Sequence, residues 1–216
     1  MSWCYLLNFP SDNDTMSKNK NEPINFLSLS NAHTGASKPP LPRGIIPKSG
    51  QVICGNIDMY IDRNGNWYYQ GSPIGRIELV RLFASVLKRD DDGDYWLITP
   101  AEMARIAVED APFLAVELFR TGDGTKQSLS LRTNLDAIIT IDEKHPIRIA
   151  INYDTGEPSP YVVLDGTIEA KISRAVYYEL VSLCVEKHHG SEILGVWSEE
   201  IFFPLDLLAP HYETDT

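Results

Sequence analysis

The sequence has too few cysteines and too little positive charge for several classes of protein. Only three of its 216 residues are cysteine, Cys4, Cys54 and Cys184, and none lies in a C-x-x-C pair. An odd number of dispersed cysteines argues against a disulfide framework and against a cysteine-based zinc site. The 19 Lys and Arg residues face 30 Asp and Glu residues, so the net charge is −11. This balance counts against general binding to DNA, RNA or an anionic membrane.

Long apolar runs are also missing from the chain. No run approaches the roughly 18–20 apolar residues that a bilayer-spanning helix needs. The N-terminal stretch MSWCYLLNFPSDND has no basic region before its short apolar run, so it does not resemble a secretion signal. We therefore expect a cytoplasmic protein without a membrane span.

Motifs of known catalytic chemistry are absent as well. The sequence contains no G-x-S-x-G, no H-E-x-x-H and no kinase-like set of motifs. The histidines are scattered, and the acidic run DDDGD (90–94) lacks the spacing of a calcium loop, so it is predicted to be a solvated turn. The sequence thus identifies no catalytic residue, no metal site and no cofactor.

Composition divides the chain into four parts. Residues 1–49 are polar and then proline-rich, and they are predicted to be disordered or extended. Two α+β lobes are predicted over 50–120 and 121–208. Residues 209–216 are predicted to be a loose tail.

The first lobe begins with alternating apolar and polar residues on both sides of Asn64-Gly65. This pattern predicts a β-hairpin with a type I′ turn, which needs positive φ at both central residues. The next segment, 76–89, has the periodicity of a mostly buried helix. Ser72 is predicted to cap it, with Pro73 at its first position. The stretch GSPIGR (71–76) matches neither the Walker nor the dinucleotide pattern. It is therefore interpreted as a turn between the hairpin and the helix rather than as a phosphate-binding loop.

The second lobe is predicted to contain a β-meander followed by a helix. Five runs between 113 and 164 are separated by turns rich in Gly, Asp and Pro. Residues 169–187 have helical periodicity, and the runs ILGVW and IFFPL predict two further strands.

An internal repeat relates the two lobes. Shifting the chain by 98 positions aligns 72–102 with 170–200 without a gap, and the order of helix, polar turn and strand is retained. The shift also places Arg76 on Arg174. An arginine near a helix N-terminus opposes the helix dipole, so an anion is expected to face it. The carboxylate candidates are Asp58, Glu102, Asp110 and Glu200, and the other candidate is a ligand phosphate.

The sequence resembles the bacterial DUF1285 family. The resemblance rests on G-S-P-I-x-R, L-V-x-L-F, T-P-x-E and V-x-D-A-P-F within 54–113, and on PYVVLDGTIEAKISRAVYYELV (160–181). It covers about residues 50–208. It implies an α+β fold of two duplicated lobes, with antiparallel sheets that each carry a packed helix and a C-terminal lobe superficially like a pleckstrin-homology domain. It also implies a ligand site between the lobes, a nucleotide-like ligand and a signalling role, with no established enzymatic activity.

These observations predict a non-enzymatic regulatory protein that binds a small anionic, nucleotide-like ligand at the lobe interface. The alternatives are an enzyme that acts on a small phosphorylated or nucleotide substrate, and a module that binds a protein partner through the C-terminal lobe. The predicted site residues are Arg76, Arg81 and Arg174 for the anion, Trp67, Tyr161 and Tyr177 as aromatic walls, and Thr99 and Asp110 as polar contacts.

Overall fold

A computed structural model describes residues 41–151, 156–188 and 192–205. Contacts divide this part of the chain into two units. The first contains residues 41–60 and 67–107, and the second contains 61–66 and the residues from 108 onward. Residues 1–40 of the segment 1–49 that is predicted to be disordered or extended, and the predicted loose tail 209–216, lie outside the described residues.

A six-stranded sheet with one helix forms the first unit. The helix is α1 (Ile77–Ala84). The strands are β1 (Val52–Ile61), β2 (Trp67–Tyr69), β3 (Ser72–Pro73), β4 (Leu87–Arg89), β5 (Tyr95–Ile98) and β6 (Glu102–Val108). Their order in the sheet is β3-β2-β1-β6-β5-β4. As the alternation predicts, Ile57, Met59 and Ile61 are buried along β1, and Leu79, Val80 and Phe83 are the buried residues of α1.

Helix α1 is shorter at both ends than predicted. The prediction of helix over 76–89 is wrong after Ala84, because residues 87–89 pair with β5. The Ser85 hydroxyl donates a hydrogen bond to the Leu82 carbonyl oxygen (2.7 Å), which competes with continuation of the helix. Leu87 is buried as predicted, but it belongs to strand β4 and not to the helix.

The predicted helix cap at Ser72-Pro73 is also wrong. These two residues form β3 and pair with Tyr68 and Tyr69. Arg76 is the N-cap residue instead, with extended backbone and no side-chain hydrogen bond to the helix. The positive charge of Arg76 is therefore unfavourable beside the positive end of the helix dipole. Arg76 also provides no side-chain acceptor for the first amides of the helix, as a serine cap would.

The hairpin at Asn64-Gly65 is confirmed, but its turn is not type I′. Gly65 has a positive φ of 75°, whereas Asn64 is not among the positive-φ residues. The Gly65 amide donates to the Asp62 carbonyl, and the Asp62 carboxylate accepts hydrogen bonds from the amides of Asn64 and Asn66 (both 2.9 Å). This is the three-residue loop in which a turn is followed by a left-handed glycine. The Asp62 side chain stabilises it.

Two sheets and one helix form the second unit. The helix is α2 (Arg174–Ser182). The strands are β7 (Phe113–Thr121), β8 (Ser128–Thr133), β9 (Ile138–Thr140), β10 (Ile147–Ile151), β11 (Pro158–Asp165), β12 (Ile168–Ile172), β13 (Val185–His188), β14 (Glu192–Ser198) and β15 (Ile201–Pro204). The sheet orders are β10-β11-β12-β7-β8-β9 and β13-β14-β15.

Two details of the second unit differ from the sequence prediction. The five strands of 113–165 exist, but they are not a simple meander, because β12 is inserted in the sheet and pairs parallel to β7. The predicted helix over 169–187 is wrong at both ends. Residues 168–172 are a strand that buries Ile168, Ala170 and Ile172, and α2 begins after Ser173. The Ser173 hydroxyl caps α2 by accepting a hydrogen bond from the Val176 amide.

Strand pairing preserves the 98-residue repeat. Leu87 pairs with Leu97 in the first unit, and Val185 pairs with Gly195 in the second. Both members of the second pair are shifted by 98 positions, and α1 and α2 also end at equivalent residues. The α+β fold, with sheets and a packed helix in both units, is confirmed. Among the described residues, the helices are too short or too polar to cross a membrane.

The acidic turn DDDGD is less solvated than predicted. Asp90 is only 4% exposed, and its carboxylate accepts hydrogen bonds from the Trp96 indole (2.9 Å) and from the amides of Arg43, Asp92 and Asp94. Its first aspartate therefore belongs to the interior of the unit.

Candidate functional site

Two adjoining clefts lie in the second unit and share Ser159 and Lys171. Cleft A has a volume of about 390 Å³. Its polar lining consists of Arg63, Glu109, Asp110, Ser159, Tyr161 and Lys171. Cleft B has a volume of about 290 Å³. It is lined by Glu157, Ser159, Lys171, Arg174, Tyr177 and Tyr178, together with two prolines and an isoleucine.

Tyr161 and Lys171, which line cleft A, belong to a row of three side chains on neighbouring strands. Arg148 on β10 lies opposite Tyr161 on β11, and Tyr161 lies opposite Lys171 on β12. Residues that are directly opposite in antiparallel strands project from the same face of the sheet, so the register brings these side chains together. The Arg148 guanidinium lies 4.6 Å from the centre of the Tyr161 ring, which is a cation–π contact.

Asp110 connects this row to the turn before β7. One carboxylate oxygen accepts a hydrogen bond from the Tyr161 hydroxyl at 2.8 Å, and the other accepts one from the Lys171 ammonium at 2.5 Å. Burial, followed by the hydrogen bond to Asp110, raises the pKa of the Tyr161 phenol from 10.0 to about 12. Tyr161 therefore remains a neutral hydrogen-bond donor far above neutral pH.

We expect Tyr161→Phe to reduce the loss of stability in alkaline solution. The folded-state pKa of Tyr161 is raised, so its neutral phenol contributes to the free energy of unfolding of the wild type below pH 10. This contribution is lost as the pH rises toward 12. Denaturant titrations at a series of pH values would measure the difference. The free energy of unfolding of Tyr161→Phe should fall less steeply than that of the wild type between pH 10 and 12. Parallel curves would contradict a raised pKa of Tyr161 in the folded state.

The charges of cleft A are internally balanced. Arg63 pairs with Glu109 at 3.4 Å, and Lys171 pairs with Asp110. Beside them, Arg148 makes a two-pronged ion pair with Glu169, with both N–O distances 2.7 Å. Cleft A therefore has little net attraction for an anion.

Cleft B has a different balance of charge. Its cations are Arg174 and Lys171, of which Lys171 is already paired with Asp110, and Glu157 is the carboxylate of its lining. The Nε of Arg174 donates to the Tyr178 hydroxyl at 2.8 Å, and the guanidinium lies 5.6 Å from that ring. Its two terminal nitrogens make no hydrogen bond with any residue that the structure describes. Cleft B thus combines positive charge with two tyrosines.

Four of the eight predicted site residues line these two clefts. Asp110 and Tyr161 belong to cleft A, and Arg174 and Tyr177 belong to cleft B. Sequence reasoning missed Lys171, which lines both. Its signal is its position three residues before Arg174, in the segment 160–181 that carries part of the family resemblance.

The other four predicted residues lie in the first unit. Trp67 is 2% exposed, and its ring stacks on Phe83 with centroids 6.2 Å apart. The Thr99 hydroxyl is bonded to the backbone of Glu102 in a local turn. Arg76 and Arg81 are exposed at the start and in the last turn of α1. Their assignment to a ligand stays a prediction.

Metal-binding capacity is not evident in the part of the chain that the structure describes. No group of three or more His, Cys, Asp or Glu side chains in residues 41–151, 156–188 and 192–205 could hold a metal ion.

Comparisons with known proteins agree on one family. Residues 50–111 match the family model "Domain of unknown function (DUF1285), N-terminal domain". Residues 112–205 match "Protein of unknown function (DUF1285), C-terminal domain". No curated protein matches the chain.

Two solved structures are similar to the chain. A DUF1285 family protein from Silicibacter pomeroyi is 39% identical, with a TM-score of 0.66, and the match covers 83% of this chain and 93% of that one. A DUF1285 family protein from Shewanella baltica is 32% identical, with a TM-score of 0.47, and the match covers 58% and 91% of the two chains. The two family models and the match to the Silicibacter pomeroyi protein confirm the resemblance that the sequence motifs indicated. The chain belongs to the DUF1285 family.

Proposed function

We propose that this protein is a non-enzymatic regulatory protein that binds a small anionic ligand with a planar ring, of the nucleotide type, in cleft B. The observation that carries the proposal is the combination of Lys171 and Arg174 with Tyr177 and Tyr178 around one cleft. The Arg174 guanidinium, whose terminal nitrogens make no hydrogen bond with a described residue, lies beside these tyrosines and supports binding of an anion.

The anion would interact with Arg174 and with the start of α2. Arg174 is the first residue of this helix, where the backbone dipole already favours negative charge. The bond from its Nε to Tyr178 orients the guanidinium and leaves the two terminal nitrogens for a phosphate or carboxylate. Lys171 lines the same cleft, where its ammonium is paired with Asp110.

The planar part of the ligand would pack on the tyrosines. Tyr178 is 57% exposed, which is high for an aromatic residue. An exposed tyrosine beside a cation suits stacking with a base or another flat ring. The cleft volume of about 290 Å³ is at the small end of ligand pockets and is consistent with a small molecule.

The carboxylate that bonds the shared Lys171 is held by protein donors and so does not favour the enzyme alternative. Both oxygens of Asp110 already accept hydrogen bonds, from Tyr161 and from Lys171. A carboxylate held in this way is a poor general base, since its lone pairs are directed at protein donors.

Calorimetric titration with inorganic phosphate, adenosine and AMP would test the proposal. We expect AMP to bind more tightly than either part alone, and Arg174→Ala to weaken AMP binding about tenfold or more. Arg132→Ala is the matched control, because Arg132 is in the same unit, pairs with Glu117 and Asp136, and lines neither cleft. It should bind AMP like the wild type.

Three outcomes would contradict the proposal. One is the absence of binding by AMP and by a panel of other nucleotides and phosphometabolites. A second is equal weakening by Arg174→Ala and Arg132→Ala, which would indicate a non-specific charge effect. The third is weakening by Arg76→Ala alone, which would place the anion at the first unit. Turnover of a bound ligand would favour the enzyme alternative instead.

A further inference from the structure

A third cleft lies in the second unit, apart from the residues of clefts A and B. Cleft C has a volume of about 480 Å³, which is larger than either of the other two. It is formed where the end of α2 meets β14 and the turn after β7. The residues that carry the argument are Arg120, Gln127, Leu183, Cys184, Val185 and Trp197.

One wall of cleft C is apolar. Trp197 supplies an indole ring whose orientation is held by an edge-to-face contact with Phe202, at 5.3 Å between centroids. Leu183 and Val185 continue the wall, and Val185 is 44% exposed. A flat apolar group could remove this surface from water and gain the corresponding hydrophobic stabilisation.

A buried amide forms a polar point in the same cleft. Gln127 is only 5% exposed, and its Nε2 donates to the Trp197 carbonyl oxygen at 2.7 Å. Its Oε1 accepts no hydrogen bond from any residue within the described ranges. An accessible amide oxygen at the edge of the cleft can accept a hydrogen bond from a donor on a ligand.

The backbone around Gln127 is held in place by the β14–β15 hairpin. The amides of Glu199 and Glu200 donate to the carbonyl oxygens of Gln127 (2.9 Å) and Thr125 (3.0 Å). Glu199 and Glu200 have positive φ values of 49° and 64°, which non-glycine residues rarely adopt. Positive φ at both central residues is the geometry of a type I′ turn, so Glu199 and Glu200 form an ordinary two-residue hairpin connection that also holds the residues lining the cleft.

Arg120 adds a positive charge that can exchange its present partner for an anionic group of a ligand. It pairs with Asp123 at 2.7 Å, but the Asp123 side chain is 93% exposed. An ion pair this exposed contributes little stability. An anionic group in the cleft could therefore take over the guanidinium at small cost.

We propose that cleft C is a second ligand site, for an amphipathic small molecule with a flat apolar ring system, an N–H or O–H donor and an anionic group. The ring packs on Trp197, the donor bonds to the Gln127 Oε1, and the anion pairs with Arg120. This site does not depend on the function proposed for cleft B.

Anilinonaphthalene sulfonate is a suitable probe, because it has a fused ring, an N–H donor and a sulfonate. Phenylnaphthylamine is its uncharged analogue and retains the ring and the N–H. We expect fluorescence titrations to give one site, with Arg120→Ala weakening the sulfonate about tenfold and the uncharged analogue less than about twofold. Arg174→Ala and Arg132→Ala should bind both probes like the wild type.

Alkylation of Cys184 reports on the location of the probe. Cys54 is 4% exposed and burial raises its thiol pKa to about 11, so it should remain unreactive, and Cys4→Ser removes the third thiol. In that variant we expect iodoacetamide to modify Cys184, and the sulfonate probe to slow the modification about tenfold at saturation.

Several results would overturn the proposal. Probe binding that leaves the alkylation rate of Cys184 unchanged would place the probe elsewhere. An unreactive Cys184 in the free protein would show that the cleft is covered. Weakening of the sulfonate by Arg174→Ala but not by Arg120→Ala would assign the probe to cleft B. Thermal unfolding of each variant would exclude a folding defect as the cause.

Discussion

Asp90→Ala is expected to lower the free energy of unfolding by about 3–4 kcal/mol. Asp90 is 4% exposed, and its two oxygens accept hydrogen bonds from the Trp96 indole and from three backbone amides. Alanine would leave these donors without an acceptor in a buried place. Trp96 is itself 1% exposed, so water cannot readily replace the lost carboxylate.

Denaturant titration of matched variants would measure this effect. Asp92→Ala is the control, because Asp92 lies in the same turn but its side chain is 53% exposed and pairs with the exposed Arg43. Its expected cost is within about 0.5 kcal/mol. Similar losses in the two variants would show that Asp90 is not an interior residue.

The pH dependence gives a second measure of the same interaction. Burial opposes ionisation of Asp90, but the hydrogen bonds from Asp94, Trp96, Arg43 and Asp92 outweigh it and hold the pKa of the carboxyl below its ordinary value of 3.8. Stability from a lowered pKa is present above the unfolded-state pKa and is lost as the pH falls through the folded-state value. The wild type should therefore lose stability below about pH 4. Asp90→Asn should lose less over that range.

Gly195→Ala is expected to cost about 2–4 kcal/mol. A Cβ at Gly195 would lie 2.4 Å from the Phe203 carbonyl oxygen and 2.6 Å from the Phe202 ring. The first of these is a backbone atom of the neighbouring strand β15, so it cannot move aside without disturbing the β14–β15 pairing. The cost is therefore steric rather than conformational.

Gly75→Ala is the control for this substitution. Gly75 has nothing within 4 Å of an added Cβ and is not among the positive-φ glycines. We expect its unfolding free energy to change by no more than about 1 kcal/mol, with a gain if the unfolded chain loses entropy. Thermal or denaturant unfolding would compare the two variants. A neutral Gly195→Ala would mean that β14 and β15 are further apart than described.

Local patterns in the sequence predicted the elements that depend on neighbouring residues. The alternation around Asn64-Gly65 predicted the hairpin, because side chains alternate between the faces of a strand. The same patterns overestimated both helices. Residues 87–89 and 168–172 have apolar spacings compatible with either structure, and pairing with β5 in one case and with β7 and β11 in the other decided for strand.

In the candidate site, too, local sequence predicts some contacts and tertiary structure decides the others. Arg174 and Tyr177 are three residues apart on α2, so helical spacing alone places them near each other. Asp110 and its partners Tyr161 and Lys171 are separated by 51 and 61 positions. Nothing local in the sequence links such distant residues, and the strand register together with the turn before β7 brings them into contact.

The amino-acid sequence alone determined the α+β class, the 98-residue repeat and the recurrence of an arginine at Arg76 and Arg174, because periodicity and order are properties of the chain itself. Tertiary structure decided which side chain fits at each of two positions related by the repeat. Leu97 fills the interior of the first unit, whereas its counterpart Gly195 lies where Phe202 and the Phe203 carbonyl leave no space for a side chain. Duplication preserves strand register, but each unit packs its own side chains, and packing depends on contacts that a repeat does not encode.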